Sequence, residues 1–198
     1  MRLDLSDSCG GKGARNSLAT PGVLCEHLPV IEFRDAAAGD ALAVATVQVA
    51  SWREAYRDQL PAEYLAELSV PDRDRFWAQV VTEPPPRTGI VLALRDETVV
   101  GFAAYGPATD TDDPALGQLF AIYLDPACWD TGIGRQLHAI VLDRLRAHGF
   151  TGAVLWMLDG NVRAARFYRL AGWDDPGRTM MERFGDVERA LRQLSRDL

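Results

Sequence analysis

Two different spacings of apolar residues meet in the middle of the chain. Leu116–Leu124 is a continuous run of apolar, β-branched and aromatic residues, which predicts a buried strand that ends at Asp125-Pro126 because proline cannot donate to a sheet ladder. From Ile133 the apolar positions recur at helical spacing as far as Gly149, which predicts an amphipathic helix. The segment Trp129–Gly134 is therefore predicted to be a tight loop at a helix N-terminus.

The same spacings predict the other elements. Strand patterns occupy Val30–Asp35, Ile90–Arg95, Thr98–Tyr105, Ala153–Leu158 and Thr179–Phe184, with a hairpin turn at Asp96-Glu97. Helical patterns begin after Asp40, at Pro61, at Pro71 and after Asn161, and the last of these closes at Gly172. The stripe Val187, Leu191, Leu194 and Leu198 predicts a terminal helix, packed on the sheet or on a second copy of the chain as a homodimer. Together these elements indicate an α/β (α+β) fold with a mixed sheet, whose two central strands run parallel through a right-handed crossover.

Composition and charge exclude several classes of protein. With 198 residues, 47% of them hydrophobic, the chain is long enough for one well-packed domain, which we place at residues 30–198. A net charge of -7 without any block rich in Lys and Arg argues against nucleic acid as the main partner, and no apolar run is long enough to cross a membrane. Residues 1–29 have many glycines and prolines and no apolar periodicity, so we expect a flexible leader.

Cysteine and histidine positions favour neither a metal site nor a disulfide framework. Cys9, Cys25 and Cys128 are an odd number at spacings typical of neither, and a reducing cytoplasm is the expected compartment. Cys128 is interpreted as a small loop residue rather than a nucleophile, because no histidine is placed to activate it. His138 and His148 are expected at solvent-facing positions of the central helix.

The loop before the central helix is a candidate anion site. The first turn of a helix leaves backbone N–H groups unpaired and carries a partial positive charge. Gly132 and Gly134 lack Cβ atoms, so a phosphate can approach the backbone, and Arg135 adds a formal charge. We interpret the loop as a cradle for a pyrophosphate, although a Gly-Ile-Gly sequence alone is also found in ordinary turns.

The strand ending in Leu-Asp-Pro, followed by Trp-Asp-Thr-Gly-Ile-Gly, resembles the acetyl-coenzyme A loop of the GNAT acetyltransferase superfamily. A second block, Asn161–Trp173, is similar to the helix that follows in that superfamily, and the resemblance covers about residues 30–184. It implies a mostly antiparallel sheet whose parallel pair splays apart to hold acetyl-coenzyme A, the cosubstrate. The implied pantetheine contacts are the backbones of Ile122, Tyr123 and Leu124, and the implied pyrophosphate contacts are Asp130, Thr131, Gly132, Ile133, Gly134 and Arg135.

The resemblance also implies catalytic roles. Asn161 and Tyr168 are two helical turns apart, so both lie on the same side of their helix. That side is expected to face the gap between the two splayed strands. We assign Tyr168 as the general acid that protonates the departing thiolate, and the backbone N–H of Ile122 as the oxyanion donor. Phe167, beside Tyr168, is expected to be the core residue.

Two positions depart from the pattern of the superfamily. Where many relatives carry a glutamate that acts as a base through water, this chain has Gln118, which cannot take a proton, so the base is unassigned. Glu54, Glu63 and Glu97 are candidate replacements, although each is more typical of a solvated surface charge. The loop also lacks the basic residue often found inside it, which leaves Arg135 and the helix dipole to meet the phosphates.

The acceptor is expected to be a primary amine of a small molecule or peptide, bound by the helices within residues 40–68. Acidic residues at Glu54, Glu63 and 110–113 favour a cationic amine. Two other classes stay open at this point. A nucleotide-binding oxidoreductase could use the same glycines with Asp159 on a ribose, and a non-catalytic acyl-coenzyme A sensor would explain Gln118.

Overall fold

A computed structural model describes residues 30–198, so the leader expected at 1–29 lies outside the described part. Within that part, seven strands form one sheet: β1 (Ile31–Asp35), β2 (Gly89–Arg95), β3 (Thr98–Pro107), β4 (Leu116–Leu124), β5 (Gly152–Leu158), β6 (Thr179–Phe184) and β7 (Val187–Asp197). The helices are α1 (Ala41–Ala55), α2 (Ala62–Glu67), α3 (Val70–Thr82), α4 (Ile133–Ala147) and α5 (Val162–Leu170), with single 3-10 turns at Ala38–Asp40 and Pro126–Cys128.

The strands lie in the order β1-β2-β3-β4-β5-β7-β6, and each neighbouring pair is antiparallel except β4 and β5. The predicted mixed sheet with its central parallel pair is confirmed. The predicted hairpin between β2 and β3 is present as well, with Asp96 and Glu97 at φ values of 48° and 67°, which suit a tight two-residue turn.

β4 and β5 are paired over only part of their length. Their register runs from Leu116 opposite Gly152 to Leu119 opposite Leu155 and stops there. On its other side β4 continues to pair with β3 as far as Leu124, but Phe120 is an extra residue between two paired positions, which makes a β-bulge. The strands therefore separate immediately after the bulge, and the edge of β4 that faces β5 is unpaired from Phe120 onward.

Side chains on the two faces of the sheet form separate cores. Leu137, Val141 and Leu145 of α4 pack on one face against Leu119 and other strand residues. On the opposite face, α1 and α3 pack against β2 and β3, and Trp77 donates its indole N–H to the buried Gln48 at 2.8 Å. The sheet is thus covered on both sides, and the gap between β4 and β5 connects the two faces.

The predicted terminal helix is wrong, because Val187–Asp197 is strand β7, placed between β5 and β6. Leu191 packs in one core and Leu194 in the core on the opposite face, which is the alternation of a strand. Both faces of β7 are covered, so Val187 and Leu191 pack on one face and Leu194 and Leu198 on the other. The resulting spacing of apolar residues along the sequence is the same as that of a helix. The sheet or a second copy of the chain was expected to cover this segment, and the segment is itself a strand of the sheet.

Candidate functional site: a cradle, a gap and an aromatic cavity

α4 begins with a row of unpaired donors. Gly132 has φ +88°, a left-handed conformation that favours glycine and turns the loop into the helix. In the described part of the chain, the backbone N–H groups of residues 131–134 donate to no acceptor, whereas Thr131 Oγ1 anchors the loop on the Cys128 carbonyl at 2.7 Å. The predicted strand, loop and helix are confirmed, and the N–H groups together form a site suited to an anion.

Two arginines supply positive charge beside these donors. A Cβ added to Gly132 would lie 3.7 Å from Nη2 of Arg135, so the guanidinium of Arg135 lies next to the loop. Arg163, in the first turn of α5, stacks on Trp129 at 3.7 Å from the ring centroid and lies 3.9 Å from Oδ1 of Asp130. Sequence reasoning missed Arg163, because no local pattern links α5 to a loop that precedes α4.

At Gly134, where a phosphate was expected to approach the backbone, the space of the absent side chain faces other protein atoms. A Cβ at this position would lie 3.2 Å from Cδ1 of Leu124 and 3.9 Å from Cε2 of Phe167, both atoms of the protein. The absent side chain therefore lets α4 pack closely on β4, and only the N–H of Gly134 is left for an anion.

The unpaired part of β4 divides its side chains between the two faces. Ile122 packs with the core that contains α4, whereas Tyr123 packs with the core that contains α1. The carbonyl oxygen of Leu124 accepts a hydrogen bond from Nε1 of Trp129 at 3.0 Å. This bond ties the end of β4 to the cradle, so one loop positions both the strand edge and the helix start.

Tyr168 is the buried member of its aromatic pair, and Phe167 the partly exposed one, so the expected assignment of Phe167 as the core residue is reversed. Burial strongly raises the pKa of the Tyr168 phenol, and the nearby phenol of Tyr123 raises it further. Tyr168 packs with the core on one face of the sheet and Tyr123 with the core on the other. The two phenols therefore approach the gap between β4 and β5 from opposite faces of the sheet and interact electrostatically there.

Asn161 is the N-cap of α5, as its position predicts, with Oδ1 accepting from the backbone N–H of Ala164 at 3.0 Å. Its side chain also lies beside the phenol of Tyr56. The pKa of Tyr56 is raised, chiefly by burial and also by Tyr123 and Tyr168, while Asn161 acts in the opposite direction. Three phenols and one amide thus meet at the gap, and the contribution of Tyr56 was not foreseen.

The expected solvent-facing position of His138 is wrong. His138 is buried, and its Nε2 accepts a hydrogen bond from Nε1 of Trp173 at 2.8 Å. Burial lowers the pKa of His138 to about 4, with a smaller effect from Arg196. The neutral ring of His138 packs beside the ring of Tyr168, with the two ring centroids 6.4 Å apart. His148 is exposed, as expected.

A cavity of about 290 Å³ opens beside the gap, on the face that carries α1. Its wall is formed by α1, α2, α3, β4, β5 and the β6–β7 hairpin. Aromatic and aliphatic side chains dominate the lining, which consists of Trp52, Tyr56, Leu60, Tyr64, Tyr123, Trp156, Leu158, Phe184 and Leu191 together with the charged Arg73, Glu182 and Arg183.

The residues considered as bases do not converge on this cavity. Gln118 is buried, and its Oε1 accepts from the backbone N–H of Thr109 at 3.2 Å. Glu54 pairs with Arg57 at 2.7 Å, and neither it nor Glu63 or Glu97 lines the cavity. In the acidic loop, Asp110 pairs with Arg178 at 3.1 Å.

Comparison with known proteins identifies the family of the chain. The model of the acetyltransferase (GNAT) family matches residues 49–173, so the chain belongs to the GNAT family. An uncharacterized N-acetyltransferase of Bacillus subtilis, YuaI, is 30% identical over 67% of this chain and 74% of that protein. A mycothiol acetyltransferase of Thermobispora bispora is 33% identical, but over 43% of this chain and 30% of that protein. The PaiA N-acetyltransferase of Thermoplasma acidophilum, solved with coenzyme A, shares the fold at TM-score 0.65 and 17% identity, with coverage of 85% of this chain and 99% of that one.

The chain is therefore an N-acetyltransferase that uses acetyl-coenzyme A, and the free N–H groups, the arginines and the split strand edge suit that cosubstrate. The oxidoreductase alternative is wrong: Asp159, its candidate ribose ligand, pairs with Arg192 at 3.1 Å, and the sheet contains a single parallel pair. Residues 30–198 contain no cluster of side chains suited to a metal ion. Among the helices described, none is long and apolar enough to cross a membrane.

Proposed function

We propose that this chain transfers the acetyl group directly to a primary amine of a small molecule or peptide, with Tyr168 as general acid. The amine nitrogen attacks the thioester carbonyl carbon, and the carbon–sulfur bond of the tetrahedral intermediate then breaks. The phenolic proton of Tyr168 passes to the departing sulfur, the nitrogen releases one proton, and the phenolate recovers one from water, so that charge balances.

The observation that carries this proposal is the position of Tyr168, which is buried on one face of the sheet where β4 and β5 separate, with Tyr123 on the other face. A phenol whose pKa is strongly raised keeps its proton at neutral pH, so it is available as a donor when a thiolate forms nearby. The hydroxyl comes from the α5 side of the gap, and the free edge of β4 bounds the other side.

The remaining roles follow from the unpaired backbone. We assign the oxyanion to the N–H of Ile122, and the pantetheine amides to the backbone of residues 122–124, because this edge of β4 has no strand partner. The pyrophosphate is assigned to residues 130–135 at the start of α4, with Arg163 as an additional cation. Asn161 acts through the position of α5 and through its contact with Tyr56.

The amine is assigned to the aromatic cavity. Glu182 is the one carboxylate among its lining residues, and it is exposed on β6 rather than beside the gap. The amine is therefore expected to react in its free-base form after losing its proton to water. Glu54, Glu63 and residues 110–113 do not line the cavity, so any attraction of these carboxylates for a cationic amine acts outside it.

Replacing Tyr168 with Phe tests the proposal. The ring and its packing are kept, so the dissociation constant of coenzyme A is expected to change by at most about tenfold, because one neutral hydrogen bond contributes roughly 0.5–1.5 kcal/mol. The rate constant kcat, measured with an amine found by screening, is expected to fall about 10²- to 10⁴-fold. Tyr105→Phe, at a phenol that does not line the aromatic cavity, serves as the control and is expected to keep kcat. A Tyr168→Phe enzyme within about twofold of wild type in single-turnover measurements would remove Tyr168 from the mechanism.

A further inference from the structure

The aromatic cavity contains a cation without a counter-ion. Arg73 of α3 is half-buried, and its guanidinium carbon lies 5.9 Å from the ring centroid of Trp52. Within residues 30–198 its side chain makes no ion pair, whereas Arg75 on the same helix pairs with Asp72 and Arg183 lies 3.8 Å from Glu188. A guanidinium at the wall of a cavity, stacked toward an indole and unpaired, is suited to an anionic group of a ligand.

The position of this cation limits where the anionic group can lie. Arg73 is close enough to Tyr123 to lower the pKa of its phenol against the larger, opposite effect of burial. Tyr123 lines the same cavity of about 290 Å³ and packs on the opposite face of the sheet from Tyr168, beside the gap where the acetyl group is to be transferred. An anion at Arg73 and an attacking nitrogen near Tyr123 therefore both lie inside this small cavity, which favours an acceptor in which few bonds separate the two groups.

The rest of the wall indicates what else the acceptor carries. Trp52, Tyr64 and Phe184 form a connected aromatic group, with ring centroids 6.3 Å apart for Trp52 and Phe184 and 5.7 Å apart for Tyr64 and Phe184. Leu60 and Leu158 add aliphatic surface in the same cluster. Such a surface gains most from an apolar or aromatic group, and the cavity volume of about 290 Å³ suits a small molecule.

We propose that the acceptor is a free α-amino acid with an apolar or aromatic side chain, whose carboxylate is bound by Arg73. An α-amino acid carries its amine and its carboxylate on one carbon, which is the short separation that the cavity requires. The N-terminal residue of a peptide lacks that carboxylate, so this inference favours a small molecule over a peptide. It rests on the proposed function, since it assigns the amine to the same gap.

The experiment compares three acceptors that share one aromatic body: L-phenylalanine, L-phenylalaninamide and phenethylamine. Wild-type protein, Arg73→Gln and the control Arg75→Gln are assayed with acetyl-coenzyme A. For phenylalanine, kcat/KM is expected to fall about 10- to 100-fold in Arg73→Gln, mainly through KM, because the carboxylate loses its charged hydrogen-bond partner. For the two acceptors without a carboxylate, Arg73→Gln and wild type are expected to agree within about twofold. Comparing variants with the same acceptor removes the difference in basicity among the three amines.

Arg75→Gln is expected to behave as wild type with all three acceptors, because Arg75 lies on α3 but does not line the cavity. Equal losses for all three acceptors in Arg73→Gln, or an unchanged kcat/KM for phenylalanine in that variant, would overturn the inference and leave the proposed function standing. Calorimetry of phenylalanine binding to the complex with coenzyme A further separates a failure of the inference from a failure of the proposed function. Binding that depends on Arg73 without any turnover would support the inference and contradict the proposed function, and undetectable binding of phenylalanine together with no turnover would contradict the inference.

Discussion

At the scale of single residues, burial decides the chemistry of the titratable side chains around the gap. His138 keeps a neutral ring because its Nε2 accepts from Trp173 in a buried layer, and Tyr168 in the same layer keeps its proton for the same reason. Both are polar side chains in an otherwise apolar core, and protein atoms rather than water surround them. The same burial that raises the pKa of Tyr168 lowers the pKa of His138, which makes the contribution of His138 to stability depend on pH.

This sensitivity gives a prediction for stability. The pKa of His138 is about 4 in the folded protein against 6.5 as its ordinary value, so the unfolded state binds more protons between these two values. The contribution of His138 is therefore complete above pH 6.5 and is lost as the pH falls toward 4, by about 2 kcal/mol between pH 7.5 and pH 5. The measurement is urea unfolding at both values of pH. His138→Gln, which offers an amide oxygen to Trp173 but does not titrate, is expected to show a smaller loss, and equal losses in the two proteins would show that His138 is not responsible.

At the scale of elements, two helix starts combine into one cradle. α4 supplies free N–H groups at its first turn, and α5 supplies Arg163, which stacks on Trp129 and faces Asp130. The carboxylate of Asp130 would repel a pyrophosphate, and Arg163 offsets its charge. We therefore propose that Arg163, from the next helix, takes the place of the basic residue that the loop lacks.

Replacing Arg163 with Gln is expected to raise the dissociation constant of coenzyme A about tenfold, because a charged contact contributes about 1.5–3 kcal/mol and part of it is screened by solvent. 3′-Dephospho-coenzyme A is expected to lose affinity by the same factor, since it keeps the pyrophosphate. Arg169→Gln, at the exposed end of α5, is the matched control and is expected to leave both constants unchanged. A loss confined to coenzyme A itself would assign Arg163 to the 3′-phosphate instead, and no loss for either ligand would remove it from the cradle.

At the scale of the whole molecule, the site depends on strands that are far apart in the sequence. β7 pairs with β5 from Leu158 to Gly152, and the β6–β7 hairpin supplies Phe184 and Leu191 to the cavity wall. β5 is held by β7 along its whole length but by β4 over only half of it. The gap therefore stays open because β5 has a second partner that fixes its direction.

Removing residues 177–198 is expected to abolish cooperative unfolding rather than merely to reduce activity. The loss would unpair one edge of β5 and expose core residues such as Leu155, which together amount to much of the ~5–15 kcal/mol that stabilises a domain. Circular dichroism during heating measures the outcome. A shorter deletion of Asp197-Leu198, which removes the hydrogen bond from Leu198 to the Thr151 carbonyl, is expected to lower the melting temperature by only a few degrees. A cooperative transition near that of wild type in the long deletion would mean that this segment only docks on the domain, as a terminal helix would.

Features with a local physical cause could be predicted from the sequence. The bounds of β4 and β6 and the starts of α4 and α5 were all predicted, because apolar spacing, proline, glycine and capping residues act within a few positions of themselves. The unpaired donors at the cradle follow in the same way, since any helix start leaves them. The positions of Asn161 and Tyr168 on one face of α5 are likewise a property of the helix alone.

Features that depend on distant partners were decided by the tertiary structure. β7 became a strand because β5 and β6 offered it hydrogen bonds on both edges, although its apolar residues recur at helical spacing. The bulge at Phe120 and the end of the β4–β5 pairing depend on the register with β3, which no local signal encodes. Arg163 reached the cradle and Arg73 the cavity through packing between helices that are distant in sequence, and His138 was buried by Trp173 from another element. Local interactions determine which elements form, whereas pairing and burial across the whole chain determine which side chains meet.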